Sequence, residues 1–128
     1  MITDNDTFDT AKVFKVVLRI LGKWQASTEE RIQLLGLKED EFKATCQAVK
    51  SDKPIILGEE THLRLACILE IHQSLRIAFS NPENIYGFMK MANNNPFFAG
   101  RTPMEAAMQE GLKGLCETLK RLEAMIYI

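Results

Sequence analysis

The sequence predicts an all-α fold, a compact multi-helix bundle with a helix-turn-helix-like unit near its N-terminus. Three observations lead there. Apolar residues recur in steps of three and four along most of the chain, the spacing of one helix face. No segment alternates long enough for a strand, and Ile55-Ile56-Leu57-Gly58 is the one strand-like stretch. The breaks between periodic segments carry helix-start and helix-stop chemistry.

Phe14, Val17, Leu21 and Trp24 mark a first helix from about Phe8 to Trp24. Ser27-Thr28-Glu29-Glu30 is a capping-box pattern, in which serine accepts from the Glu30 amide and the Glu30 carboxylate reaches back. The short helix that follows turns Ile32 and Leu35 inward and ends at Gly36, a residue that takes the left-handed conformation cheaply. Another helix runs from about Glu39 to Val49 and buries Phe42, Cys46 and Val49. After a turn at Ser51-Asp52-Lys53-Pro54, a longer helix from about Glu60 to Phe79 carries Leu65, Ile68, Ile71, Leu75 and Phe79 on one face. Leu63, Leu69 and Ile77 lie off that stripe and predict burial on more than one side. Asn81-Pro82 starts a helix to about Met91, and Asn93-Asn94-Asn95-Pro96 breaks it. Thr102-Pro103 starts the last helical region, where Met108, Leu112, Leu115, Leu119, Leu122 and Ile126 follow seam spacing. Gly111 and Gly114 each cost about 1 kcal/mol inside a helix, which predicts a break near Gly111. The chain divides at about residue 58 into regions 1–58 and 59–128, which can pack as one unit.

Composition excludes several classes of function. Sixteen Lys+Arg stand against seventeen Asp+Glu, so no global basic field advertises nucleic acid or an anionic membrane. The balance is even along the chain, nine against nine in residues 1–58 and seven against eight in 59–128. Any charge-driven function must come from a local patch. Three separated cysteines without a CxxC fit a reducing compartment, and their apolar neighbours predict small core residues. The N-terminus lacks a signal-peptide pattern and no run is apolar enough to span a bilayer, so the expected setting is cytoplasmic. The two histidines, His62 and His72, belong to no metal-ligand or catalytic spacing. His72 reads as a packed or half-exposed structural histidine. The sequence therefore predicts no catalytic residue, no metal, no cofactor and no enzyme.

Two features rise above this background. Ser27 to Lys50 reads as helix, glycine turn, helix, which is either a helical pair inside a bundle or a DNA-reading unit. Its second helix opens on Lys38-Glu39-Asp40-Glu41, carboxylates that suit a helix start and repel phosphates. If DNA is bound, the candidates are Lys43, Gln47, Lys50 and Lys53. The other feature is the segment from Asn95 to Glu105: an Asn-Pro turn, two phenylalanines, a glycine and a capped helix start. There Arg101 can bond backbone carbonyls and lock the loop. Beyond it, the apolar tail Met125-Ile126-Tyr127-Ile128 calls for burial on its own core, on a second copy or on a partner.

The string NPFFAGRTPMEAAMQEG resembles the NPxLGGRTPLELLxxxEG stretch of the MbcA/ParS/Xre antitoxin family. Leu18 to Trp24, Ser27 and Leu34-Leu35-Gly36-Leu37 resemble that family's N-terminal Xre-like helix-turn-helix. Leu65 to Phe79 with Asn81-Pro82-Glu83 looks like its central helices, and Leu119 to Tyr127 like its terminal L-x-R-I-E-x-G-x-Y. Together these cover about residues 10–128. The resemblance implies an antitoxin that neutralises a cognate protein toxin, often an NAD⁺-consuming one of the RES type. In that family the C-terminal segment covers the toxin active site, the protein is a homodimer, and some complexes repress their own operator DNA. By position the toxin-binding residues are Asn95, Pro96, Gly100, Arg101, Thr102 and Pro103, then Arg121, Glu123 and Tyr127, with Ile128 added from the apolar tail. Ala99 departs from the pattern, standing where the family has glycine. A stand-alone transcriptional regulator and an interaction module without a toxin are the alternative readings.

Overall fold

The computed structural model describes residues 4–127, with side chains from Thr10 onward. Among these residues are seven α-helices and no strand: α1 (Asp4–Lys23), α2 (Thr28–Leu35), α3 (Glu39–Lys50), α4 (Glu59–Ala78), α5 (Pro82–Gly87), α6 (Pro103–Glu110) and α7 (Leu112–Ile126). A single 3-10 turn, Phe88–Lys90, extends α5. The predicted all-α class is what the chain adopts. Ile55-Ile56-Leu57 forms no strand; Ile55 is buried and Ile56 stands in solvent.

The central helix is α4, which packs against α1, α2, α5 and α7. One continuous core joins Phe14, Val17 and Leu21 of α1 and Trp24 just after it to Leu34 and Leu35 of α2, Leu65, Ile68, Ile71 and Leu75 of α4, and Leu115 and Leu122 of α7. It runs through both predicted regions. Each such large apolar side chain contributes roughly 1.5–3 kcal/mol by leaving water. The sequence chose the wrong residues for the other faces of α4, however. Leu63 and Ile77 are 50% and 58% exposed and Leu69 is half-buried. Polar residues take the other faces instead: Thr61, Arg64 and Ser74 are buried.

That polar burial has a local cause. The capping box at Ser27 starts α2: Ser27 Oγ accepts from the Glu30 amide at 3.1 Å and the Ser27 amide donates to Glu30 Oε1 at 2.9 Å. At its end Gly36 takes φ +68°, its amide donating to Gln33 O while the Leu37 amide donates to Ile32 O. The first two turns of α4 then cover the last carbonyls of α2. Thr61 Oγ1 donates to Leu35 O at 2.9 Å, and Arg64 Nη1 donates to Gln33 O at 3.1 Å and Leu34 O at 3.2 Å. A guanidinium thus sits at the negative end of α2, directly under Gly36, where an added Cβ would lie 2.8 Å from Arg64 Nε. The predicted break between the last two helices is also present, with Gly111 at φ +62° separating α6 from α7.

The cysteines are not the small core residues expected. Cys46 and Cys67 are half-buried and Cys116 is exposed, because all three flank the apolar stripes. Cys67 Sγ lies 3.8 Å from Cys116 Sγ across the α4–α7 contact. Burial, then the neighbouring Cys116 thiol and Glu70, push the Cys67 thiol up to about 12. His72 is half-buried and stacks on Tyr86 with ring centres 6.1 Å apart. Burial, then Arg76 and Lys23, hold its imidazole below the ordinary value.

Candidate functional site

The Asn95–Pro103 segment is a closed loop held by its own polar groups. The Asn93 amide donates to Arg101 O at 3.0 Å and the Gly100 amide to Asn93 O at 2.9 Å, which ties the two ends. Asn95 Oδ1 accepts from the Phe97 amide at 3.1 Å, and Asn95 O accepts from the amides of Phe98 and Ala99. These bonds replace the helix that three asparagines and a proline forbid. Ala99 sits at φ +53° and Gly100 at φ +87°, both in the left-handed region. Phe98 is fully buried and anchors the loop.

Arg101 is occupied within this loop. Its Nε donates to Phe98 O at 2.9 Å, Nη2 to Phe97 O at 2.7 Å and Nη1 to Gln109 Oε1 at 2.9 Å. The guanidinium also pairs with Glu110 at 2.9 Å and lies over the Phe97 ring. Thr102 completes the segment by capping α6, its Oγ1 accepting from the Glu105 amide while Glu105 Oε1 accepts from the Thr102 amide. Pro103 follows, buried in the first turn. Pro96 and Gly100 face solvent, and Asn95 and Thr102 are partly exposed.

The C-terminal candidates lie elsewhere. The loop meets the end of α6 through Gln109 and Glu110. Tyr127 follows α7, whose 15 residues at about 1.5 Å each carry the chain about 22 Å along the helix. Among the described residues, no hydrogen bond or ion pair joins the loop candidates to Arg121, Glu123 or Tyr127. Glu123 and Tyr127 share a shallow cavity of about 290 Å³ with Gln73 and Ile77 of α4. Arg121 points away from it toward Glu117, 3.4 Å distant. Leu122 is the last fully buried residue of α7; Ile126 is half-buried, while Met125 and Tyr127 are 50% and 76% exposed. Ile128 lies outside the described residues. Ile77 and Tyr127 thus meet as exposed apolar side chains where α4 and α7 end. Ile77 was missed because it was read as a second buried face of α4.

The DNA candidates Lys43, Gln47 and Lys50 share the exposed face of α3, and Lys53 follows in the exposed turn. Lys43 pairs with Glu39 at 3.3 Å and Gln47 donates to Ser51 at 3.3 Å. Lys50 instead joins Lys15, Arg19 and Arg31 around a groove between α1, α2 and α3 that no carboxylate lines among the described residues. The even charge of residues 1–58 thus conceals a local positive cluster. The i,i+4 pair Lys15 and Arg19 was the signal available in the sequence.

Among the described residues, no three His, Cys, Asp or Glu side chains gather as metal ligands, and no helix is long and apolar enough to cross a membrane. No family model, curated protein or solved structure matches the chain.

Proposed function

We propose that this protein is an antitoxin-like binding protein that neutralises a partner toxin by docking its C-terminal region at the toxin active site. The observation that carries the reading is the end of α7. A helix packed against the core as far as Leu122 continues into the half-exposed Met125 and into Tyr127, which stands largely in solvent beside the exposed Ile77. An apolar edge at a helix terminus suits burial by another protein chain. The resemblance at Asn95–Pro103 and Leu119–Tyr127 supplies the class of partner, an NAD⁺-consuming toxin of the RES type. In this reading Glu123, Tyr127 and Ile128 touch the toxin. Arg101 and Thr102 act by holding the loop, which leaves Asn95, Pro96 and Gly100 as its partner-facing atoms.

Deleting residues 123–128 tests this, because the truncation begins after the last buried residue of α7. Co-expressed with the toxin that co-purifies with the full chain, the truncated protein is expected to fold and to leave the toxin active. Retained neutralisation sinks the proposal. The homodimer expected of the family is the competing occupant of the same edge. Loss of self-association on truncation, with neutralisation intact, assigns the tail to the dimer.

A further inference from the structure

The groove between α1, α2 and α3 has a composition that the proposed function does not use. It has a volume of about 600 Å³ and opens to solvent along one side, a size typical of small-molecule sites. Leu18, Phe42 and Val49 supply an apolar floor, with Phe42 and Val49 at 8% and 5% exposure. Its rim carries four cations. Only Lys15 has an acidic neighbour among the described residues, Asp52 at 3.9 Å, and Arg31 Nε donates to Ala26 O at 3.2 Å. Arg19 and Lys50 are exposed and have no ion pair there. Clustered cations around a low-dielectric floor raise the local concentration of anions, and the floor rewards an apolar body.

We propose that this groove binds a small anionic amphiphile, an acyl chain lying on Leu18, Phe42 and Val49 with its carboxylate or phosphate head among the four rim cations. A free phosphate or a bare duplex backbone would meet the cations but gain nothing from the floor. A neutral lipid chain would leave the rim uncompensated. The site is built by helices other than α4 and α7, so it stands independently of the toxin-binding reading.

Isothermal titration calorimetry of the full chain tests it with decanoate and decyl phosphate, each below its micelle-forming concentration. At least one is expected to bind at a single saturable site, and the two results identify the preferred head group. Arg19→Glu and Lys50→Glu should each weaken that binding about fivefold. Both positions are exposed, and unchanged far-UV circular dichroism and melting temperature verify the fold. Hexanoate should bind at least about tenfold more weakly than decanoate, since the shorter chain leaves floor uncovered. Decyltrimethylammonium should not bind. The proposal is overturned by no saturable binding of either anion, by equal binding of the cation, by indifference to both charge reversals, or by equal affinity for hexanoate and decanoate. Displacement of decanoate by duplex DNA, with the displacement lost in Arg19→Glu, also overturns it and assigns the cations to nucleic acid.

Discussion

Replacing Arg64 with leucine probes the contact that fixes the turn after α2. Leucine keeps most of the aliphatic bulk and removes the two guanidinium bonds to Gln33 O and Leu34 O. Bonds from charged donors contribute about 1.5–3 kcal/mol each, and the cation at a helix C-terminus adds about 0.3–1 kcal/mol. Against this stands the desolvation of a side chain only 11% exposed, whose Nε has no hydrogen-bond partner among the described residues. The net expected loss is about 2 kcal/mol. With an unfolding entropy of about 2.1 cal/mol/K per residue, 128 residues convert this to a fall in Tm of about 7 °C. A double-mutant cycle with Gly36→Ala sharpens the test. Alanine at φ +68° costs about 1 kcal/mol by itself, and its Cβ also displaces Arg64. The two losses should therefore fall short of additivity by about 1 kcal/mol when unfolding is followed by circular dichroism in urea. A neutral or stabilising Arg64→Leu, or strict additivity, refutes the reasoning. Desolvation would then dominate the cap.

Three further outcomes are expected. Ala99→Gly should raise stability by about 0.5–1 kcal/mol, because relief of the φ +53° strain outweighs the added freedom of the unfolded chain; a lower Tm contradicts it. Arg101→Lys should cost about 1–2 kcal/mol and loosen the loop, since an ammonium cannot serve Phe97 O, Phe98 O and Gln109 together; unchanged amide exchange at Gly100 and Arg101 would contradict it. Burial works to raise the Glu30 carboxyl, but the Ser27 amide and Lys90 outweigh it and hold it below 4.5. Its contribution, about 0.5 kcal/mol for a partly exposed pair, is therefore present above that pH and lost as pH falls through the lowered value. The stability gap between wild type and Glu30→Gln should close in acid, which urea titrations at several pH values will show.

What was legible in the sequence was local. The Ser27 capping box, the Gly36 stop, the Thr102-Pro103 start and the Gly111 break each depend on atoms within a few residues of one another, and each stands where it was expected. What was not legible depends on α4. Arg64 looks like a solvated helix arginine until the end of α2 is laid over it, 30 residues away in sequence. Likewise, Lys15, Arg19, Arg31 and Lys50 belong to three helices that are each near neutral, and only packing gathers their positive ends. The exposed Ile77 failed for the opposite reason. Periodicity reports which face is apolar, and it cannot report that a face is left uncovered.

The same geometry separates two roles within the proposed toxin-binding residues. Arg101 directs its donors to the carbonyls and side chains of its own loop and the end of α6, so its identity is explained without a partner. Tyr127 lies 76% exposed at the far end of α7, and nothing in its own fold accounts for an aromatic there. Loss of neutralisation in an Arg101 variant should therefore track loss of stability and recover when the protein is stabilised elsewhere. Loss in Tyr127→Ala should leave Tm unchanged and resist such rescue. If the Arg101 defect persists in a stabilised background, the loop is itself a contact.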